Sequence, residues 1–250
     1  MDAERERREK RHRKPMRRAL DTQIELIKDD IRQTGNFDKI HSEPLEQAVD
    51  STTLDIGEHF AKISIAAAKE KFGERDRDEG AIERAREIIE AYSRNEVVRR
   101  VSMYDNHLRR IVGGIISDVR TKYFRQDVLK TFESAEIAEI LSLIDRWWTD
   151  NAKVRTIGIV SDTAVNGMNL GMNSGFQGMD REVMKIWMAT LDGKTRDSHA
   201  IADSQPRLMD EAFDLEGGQL MMPGDTSRGV DMAEIYNCRC GISYEALETI

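Results

Sequence analysis

Val183-Met184-Lys185-Ile186-Trp187-Met188-Ala189-Thr190 decides the fold class. It is a short apolar run ending at Asp192-Gly193, a turn signal, and it reads as a strand. Upstream of it the apolar residues recur with helical spacing. Downstream, Gly217-Gly218 precedes a second strand at Leu220–Met222, closed by Pro223-Gly224-Asp225, and a third is expected at Gly241–Tyr244. Ser198–Ala202 reads as a short helix. The expected fold is therefore α+β: a mostly α-helical N-terminal part, then a small α+β module with a short antiparallel sheet. The expected divisions are a basic arm over residues 1–18, a helical domain over 19–154 and the α+β module over 155–250.

The helical reading rests on spacing. Leu20, Ile24, Ile27 and Ile31 fall on one face of a helix over 19–34, ended by Gly35-Asn36. Pro44 suits the first turn of the next helix, with Ser42 as its cap, and Gly73 stops it. Residues 74–80 are charged and read as a loop. A helical region follows over 79–124, with a possible break at Ser93-Arg94-Asn95. Its Gly113-Gly114 pair costs about 1 kcal/mol per glycine relative to Ala, a cost that close helix–helix approach or a kink would explain. Ser134 is expected to cap a further helix that ends near Leu170, after which Gly171, Gly175 and Gly178 punctuate the chain. Trp147 and Trp148 cannot both face one core, which places one of them at an interface. The Met-rich stretch (Met168, Met172, Met179, Met184, Met188, Met221, Met222) reads as core filling, or as an adaptable partner surface.

Bulk properties narrow the function classes. The 250 residues are 39% hydrophobic and 34% charged, as in a helix-rich chain with long exposed faces. No apolar run approaches the roughly 18 residues of a membrane helix. The basic start lacks the apolar stretch of a secretory signal. Two cysteines one residue apart form no disulfide framework and point to a reducing compartment. The net charge is −8, yet residues 1–18 carry nine Lys/Arg against four acids, leaving −13 on the other 232 residues. An acidic body argues against a broad nucleic-acid surface. The basic segment (Arg5, Arg7, Arg8, Lys10, Arg11, Arg13, Lys14, Arg17, Arg18) could still contact DNA, RNA or an acidic partner, or be a frayed, solvated arm or the charged start of a helix.

Two clusters carry potential chemistry. Arg196 and His199 stand one helical turn apart. With Asp192 or Asp197 they could perform general acid–base or phosphodiester chemistry, or form an ordinary ion-pair network. Asp162 could partner Arg196 or be a solvated acid. Cys238-Arg239-Cys240 puts two thiols on one face of an extended segment. His199 could add a third zinc ligand, and Asp192, Asp197 or Asp203 a fourth, stapling a module with a thin core. Free cysteines are also commonly plain buried apolar residues. No nucleotide-binding, nucleophile-elbow or metalloprotease motif occurs.

These residues resemble the C-terminal module of phage head morphogenesis proteins, the Mu F-like minor capsid proteins and their SPP1-phage counterparts. The resemblance lies in Asn166-Gly167 and Asn169-x-Gly171, in Trp187, Ala189, Asp192, Thr195, Arg196 and His199, in Pro223-Gly224-Asp225, and in Asn237-Cys238-Arg239-Cys240. It covers about residues 155–245. Ser161-Asp162 stands where the family pattern has Thr-Glu, and the segment after His199 lacks its usual Gly. The resemblance implies a low-copy component of a tailed-phage head, a non-enzyme acting in head assembly. It implies portal, capsid or scaffold proteins as partners, packaged DNA as a possible contact of the basic arm, and a location in the virion head or portal vertex after synthesis in the host cytoplasm.

Overall fold

The computed structural model describes residues 2–73, 79–124, 131–179 and 183–246. Four long helices come first: α1 (Asp2–Thr34), α2 (Glu43–Phe72), α3 (Ala81–Phe124) and α4 (Ser134–Gly178). The remainder is β1 (Val183–Met188), a short α5 (Asp197–Ala202), β2 (Pro206–Leu208), β3 (Phe213–Leu215), β4 (Gly218–Leu220), a 3-10 turn at Met232–Glu234 and β5 (Gly241–Ala246). β1 pairs antiparallel with both β2 and β5, giving the order β2-β1-β5, and β3 pairs with β4 as a separate hairpin. The chain is thus α+β, as its patterning indicates. No helix among the described residues is long and apolar enough to cross a membrane.

The chain divides into two compact units, and they are not sequential. One comprises Met1–His12, Asp50–Val97 and Val160–Ile250; the other comprises Arg13–Val49 and Val98–Ile159. The expected boundary at 154/155 falls inside α4, and the expected arm over 1–18 lies inside α1. The physical reason is helix length: each of the four long helices contributes one stretch to each unit.

α1 begins seventeen residues before its expected start because its buried stripe there is polar. Arg5, Glu9 and His12 are buried and stand four and three residues apart, in register with buried Met16. Arg5 lies 3.4 Å from Glu9, and His12 Nε2 lies 2.9 Å from Asp55 on α2. A hydrophobicity pattern cannot reveal such a face. From Met16 onward Leu20, Ile24, Ile27 and Ile31 are buried as their spacing predicts. Gly35, at φ +73°, ends the helix by returning its N–H to Ile31 O. Ser42 stands just before α2, but its hydroxyl donates to Asp105 instead of receiving a helix N–H. α4 starts at Ser134 itself, with Glu136 accepting from the N–H of Glu133. Of the charged loop expected over 74–80, residues 74–78 lie outside the described residues, and Glu79-Gly80 form a turn.

α3 runs unbroken through Ser93-Arg94-Asn95, and α4 runs on to Gly178. The glycines expected to end α4 instead line its face. A Cβ on Gly171 would overlap the carbonyl oxygen of Gly57 on α2 and lie 3.0 Å from the N of Ala61. One on Gly175 would lie 2.9 Å from the Ala61 carbonyl, and one on Gly178 2.5 Å from the Ala81 carbonyl. This is the close helix–helix approach that, with a kink, is one of the two readings of Gly113-Gly114. A Cβ on either of those two would meet nothing within 4 Å outside its own stretch of helix, so they provide no close helix approach.

Around this contact the first unit builds its core. Ile56, Phe60, Met168, Met172, Phe176, Met179, Trp187, Phe213 and Met222 are buried together, so these methionines are filling. Phe176 stacks on Tyr244 of β5 with ring centres 4.0 Å apart. β1 alternates as a half-buried strand should, with Val183, Lys185 and Trp187 inward. Lys185 is the anomaly on that face. Its Nζ donates to the carbonyls of Met209 (3.1 Å) and Met221 (2.9 Å), and it sits 5.3 Å from the Phe213 ring centre. In the second unit Trp148 is buried and donates to Asp21, while Trp147 is only partly buried.

Two outcomes test this packing. Gly171→Ala should lower the unfolding free energy by about 3 kcal/mol or more, because backbone must move to admit the methyl. Gly113→Ala should raise it by about 0.5–1 kcal/mol, from helix propensity alone. Urea midpoints of the two variants check this, and equal effects would contradict the packing account. Burial also pushes the Lys185 ammonium down to about 8, against the pull of Asp225 and Asp210. The folded state then binds fewer protons than the unfolded state between about pH 8 and 10.5, so stability rises with pH across that window. Measured against Lys185→Met, the wild-type midpoint should climb from pH 8 to 10; parallel curves would refute it.

Candidate metal centre

The last stretch of α4 carries a polar face beside its glycine face. Asp162, Asn166 and Asn169 are buried and stand four and three residues apart. Each reaches a loop of the C-terminal segment. Asp162 Oδ1 accepts the N–H of Asn237 at 2.8 Å. Asn166 Nδ2 donates to Gly224 O at 3.0 Å, and Asn169 Nδ2 donates to both Pro223 O (3.2 Å) and Cys240 O (3.1 Å). Asp225 is fully buried and closes its own turn, accepting from Met221 N–H, Ser227 N–H and the hydroxyls of Ser227 and Tyr92 at 2.8–3.0 Å. Gly224 adopts φ +81°, which suits glycine and makes the Pro223-Gly224-Asp225 turn possible.

The Asn237-Cys238-Arg239-Cys240 segment is held at both ends by α4, through Asp162 and Asn169. Asn237 takes a left-handed backbone conformation (φ +55°), and Cys238 N–H returns to Ile235 O. Cys238 and Cys240 are turned inward and buried, while Arg239 between them points out and grips Asp192 through two contacts of 2.5 and 2.6 Å. That guanidinium holds the Asp192 carboxyl well below the usual carboxylate range.

α5 brings His199 to the two thiols. Its Nδ1 lies 3.3 Å from Cys240 Sγ and 3.8 Å from Cys238 Sγ, and the three ligand atoms all lie within 4.8 Å of one another. Trp187 packs edge-on against the imidazole at 5.4 Å. On the other side, His199 Nε2 is 2.9 Å from Glu234 Oε2, off the line of a straight hydrogen bond, and the same oxygen accepts from Ser198 Oγ at 2.8 Å. A proton on Nε2, facing the carboxylate, leaves the Nδ1 lone pair toward the sulfurs, the orientation a metal-ligating histidine needs. The thiols are pushed apart in acidity. Donation from Cys238 and contact with His199 lower Cys240 against its burial, while Cys238, giving its hydrogen to Cys240 and sealed from water, is raised.

His199, Cys238 and Cys240 are the group among the described residues able to hold a metal ion. Bonds of about 2.0–2.3 Å at tetrahedral angles separate N and S ligand atoms by about 3.5–3.8 Å, and the distances from Nδ1 to the two sulfurs bracket that spacing. The cleft beside them, lined also by Thr190, Lys194, Thr195 and Arg196, has room for about one water-sized sphere, about 10 Å³. Three protein donors with one small ligand there would complete a four-coordinate set.

The structure does not bring the other sequence candidates into that set. Asp192 is taken by Arg239, Asp203 accepts from the N–H of Ala189 at 2.7 Å, and Asp197 lies in the first turn of α5, outside the group. Asp192, Arg196 and His199 do not form a triad: Arg196 donates to the Tyr236 carbonyl, and His199 faces sulfur and Glu234. Nor does Asp162 meet Arg196, since its carboxylate receives the Asn237 N–H. Glu234 is the carboxylate that sequence reading missed. Its signal is faint, a single acid four residues before Cys238.

Several members of the basic segment are already engaged. Arg5 pairs with Glu9, Arg7 with Glu4, Arg8 and Arg11 with Asp55, and Arg17 with Asp21. Lys10, Arg13, Lys14 and Arg18 pair with no acid among the described residues. Neither protein-family models, nor curated proteins, nor solved structures give a match to this chain.

Protein purified without chelator should carry about one equivalent of a transition metal by plasma mass spectrometry. His199→Ala and Cys240→Ser should each remove most of it, and Asp203→Asn should not. Retention of metal by both ligand variants would place the ion elsewhere.

Proposed function

We propose that this chain is a minor structural protein of a tailed-phage head, acting by docking to portal, capsid or scaffold proteins, with its C-terminal segment stapled by zinc. The observation that supports this best is the structural use of the resembling residues. Asn166, Asn169, Pro223, Gly224, Asp225, Asn237 and Cys240 all take part in the loop anchoring, and Trp187 forms a wall of the histidine pocket. A pattern spent on holding a small module together suits a part that presents a surface. It suits turnover less, because His199 is only 2% exposed and its ring edges are occupied.

Zinc fits the donor set better than calcium or magnesium, since two thiols and an imidazole are soft ligands. Zinc held by His199, Cys238 and Cys240 would supply a cross-link between α5 and the strand β5 segment. Cys240, already the more acidic thiol, is the first to serve as thiolate.

The test is quantitative mass spectrometry of procapsids and mature particles made from the whole head gene cluster that encodes this chain. The expected result is a few copies per particle, lost when the portal gene is deleted. Absence from both particle types would sink the proposal. A nuclease assay of wild type against His199→Ala addresses the enzyme alternative built on Asp192, Arg196 and His199: cleavage lost in the variant would favour it.

A further inference from the structure

Within the second unit, α1 and α4 wall a cavity of about 330 Å³ lined by Arg13, Lys14, Arg17, Lys153, Thr156 and Ile157. Four of the six lining residues are cations, and none is a carboxylate. Arg17 is fixed in place: its Nε donates to Asp21 at 2.7 Å and its guanidinium lies 5.1 Å from the Trp148 ring centre. Asp21 also receives the Trp148 N–H, so its charge is spent on the wall. Thr156 donates back to Ala152 O, and its hydroxyl hydrogen is not offered to the cavity.

Arg13, Lys14 and Lys153 have no acidic partner among the described residues, and Arg13 Nε is buried with no acceptor. A buried guanidinium N–H without an acceptor costs free energy, and like charges gathered in one concavity repel. This is unusual in a chain whose acids outnumber its bases, 46 to 38. Both costs are offset by an anion with several acceptor oxygens, and arginine's planar fork matches phosphate in particular. The size also matters: a cavity of this volume falls in the range for a small organic ligand, and Ile157 and the lysine stems give it apolar wall.

We infer that this cavity is a phosphate-binding site that takes the phosphate of a nucleotide-sized ligand, either a free nucleotide or one unit of a nucleic-acid strand. Arg13 and Arg17 grip the phosphate oxygens, and Lys14 and Lys153 close the charge from the rim. The inference shares Arg13, Lys14 and Arg17 with the DNA contact that the head-protein resemblance implies, and binding of a free nucleotide tests it without that reading.

The experiment uses the 250-residue chain and two probes: ATP by calorimetry, and a labelled oligothymidine of about 12 nucleotides by anisotropy. Both are run between about 50 and 200 mM NaCl. Lys153→Gln, at an exposed position, and Arg13→Gln/Lys14→Gln are compared with Lys10→Gln/Arg18→Gln. The control removes the same charge as the double variant from α1, outside the cavity; circular dichroism checks each fold. The expected result is a loss of about tenfold in affinity in the cavity variants, with the salt slope reduced by about one per phosphate contact removed, and little change in the control. Loss for both probes identifies the phosphate as the shared determinant; loss for one names the source. Binding of neither probe at the low salt, or equal losses in the control, would overturn the inference.

Discussion

The close approach of α4 to α2 at Gly171 and Gly57 is the contact on which the first unit depends. It brings two helix backbones nearer than any side chain allows, and so it fixes where the neighbouring face of α4 points. That face carries Asp162, Asn166 and Asn169, which hold the 223–225 turn and the 237–240 segment by backbone hydrogen bonds. The two thiols therefore sit where they do because of glycines some way from them in the sequence. Small residues here set position, and amides convert that position into loop geometry.

The candidate metal centre shows the same division of labour. Its three side chains come from α5 and the approach to β5, but none of them is positioned by its own element alone. His199 is wedged between Trp187 and Glu234, and the cysteines are hung from α4. Arg239 faces outward to Asp192, which ties the cysteine segment to the turn after β1. A site so braced needs little rearrangement to accept an ion.

Much of this was legible in the residues, for identifiable reasons. The change from helical to strand patterning at Val183 and the pairing of His199 with the two cysteines follow from periodicity and ligand chemistry. The first half of α1 was legible only as one reading of a charge block, the start of a helix; its buried face was not, because the inward residues are Arg5, Glu9 and His12 and their burial is balanced by ion pairs. β2 and β3, three residues each, carry too little alternation to announce themselves. The glycines of α4 carry the local signature of breakers, whereas close packing on α2 and α3 is what their positions serve. Asp192 stood near His199 in sequence and looked like a ligand; its true partner, Arg239, lies 47 positions on.

The interleaving of the two units has a consequence for how the chain is made. The second unit uses nothing beyond Ile159, so all of its chain has been synthesised when that residue leaves the ribosome. The first unit receives its earliest stretch at the start and its last only from Val160 onward. Its opening residues, with Arg5, Glu9 and His12 on a face that must be covered, gain Asp55 early but wait for the glycine face of α4 to complete their unit. Translation order thus favours an order of closure: the unit built from residues up to Ile159 first, the one that carries His199, Cys238 and Cys240 last.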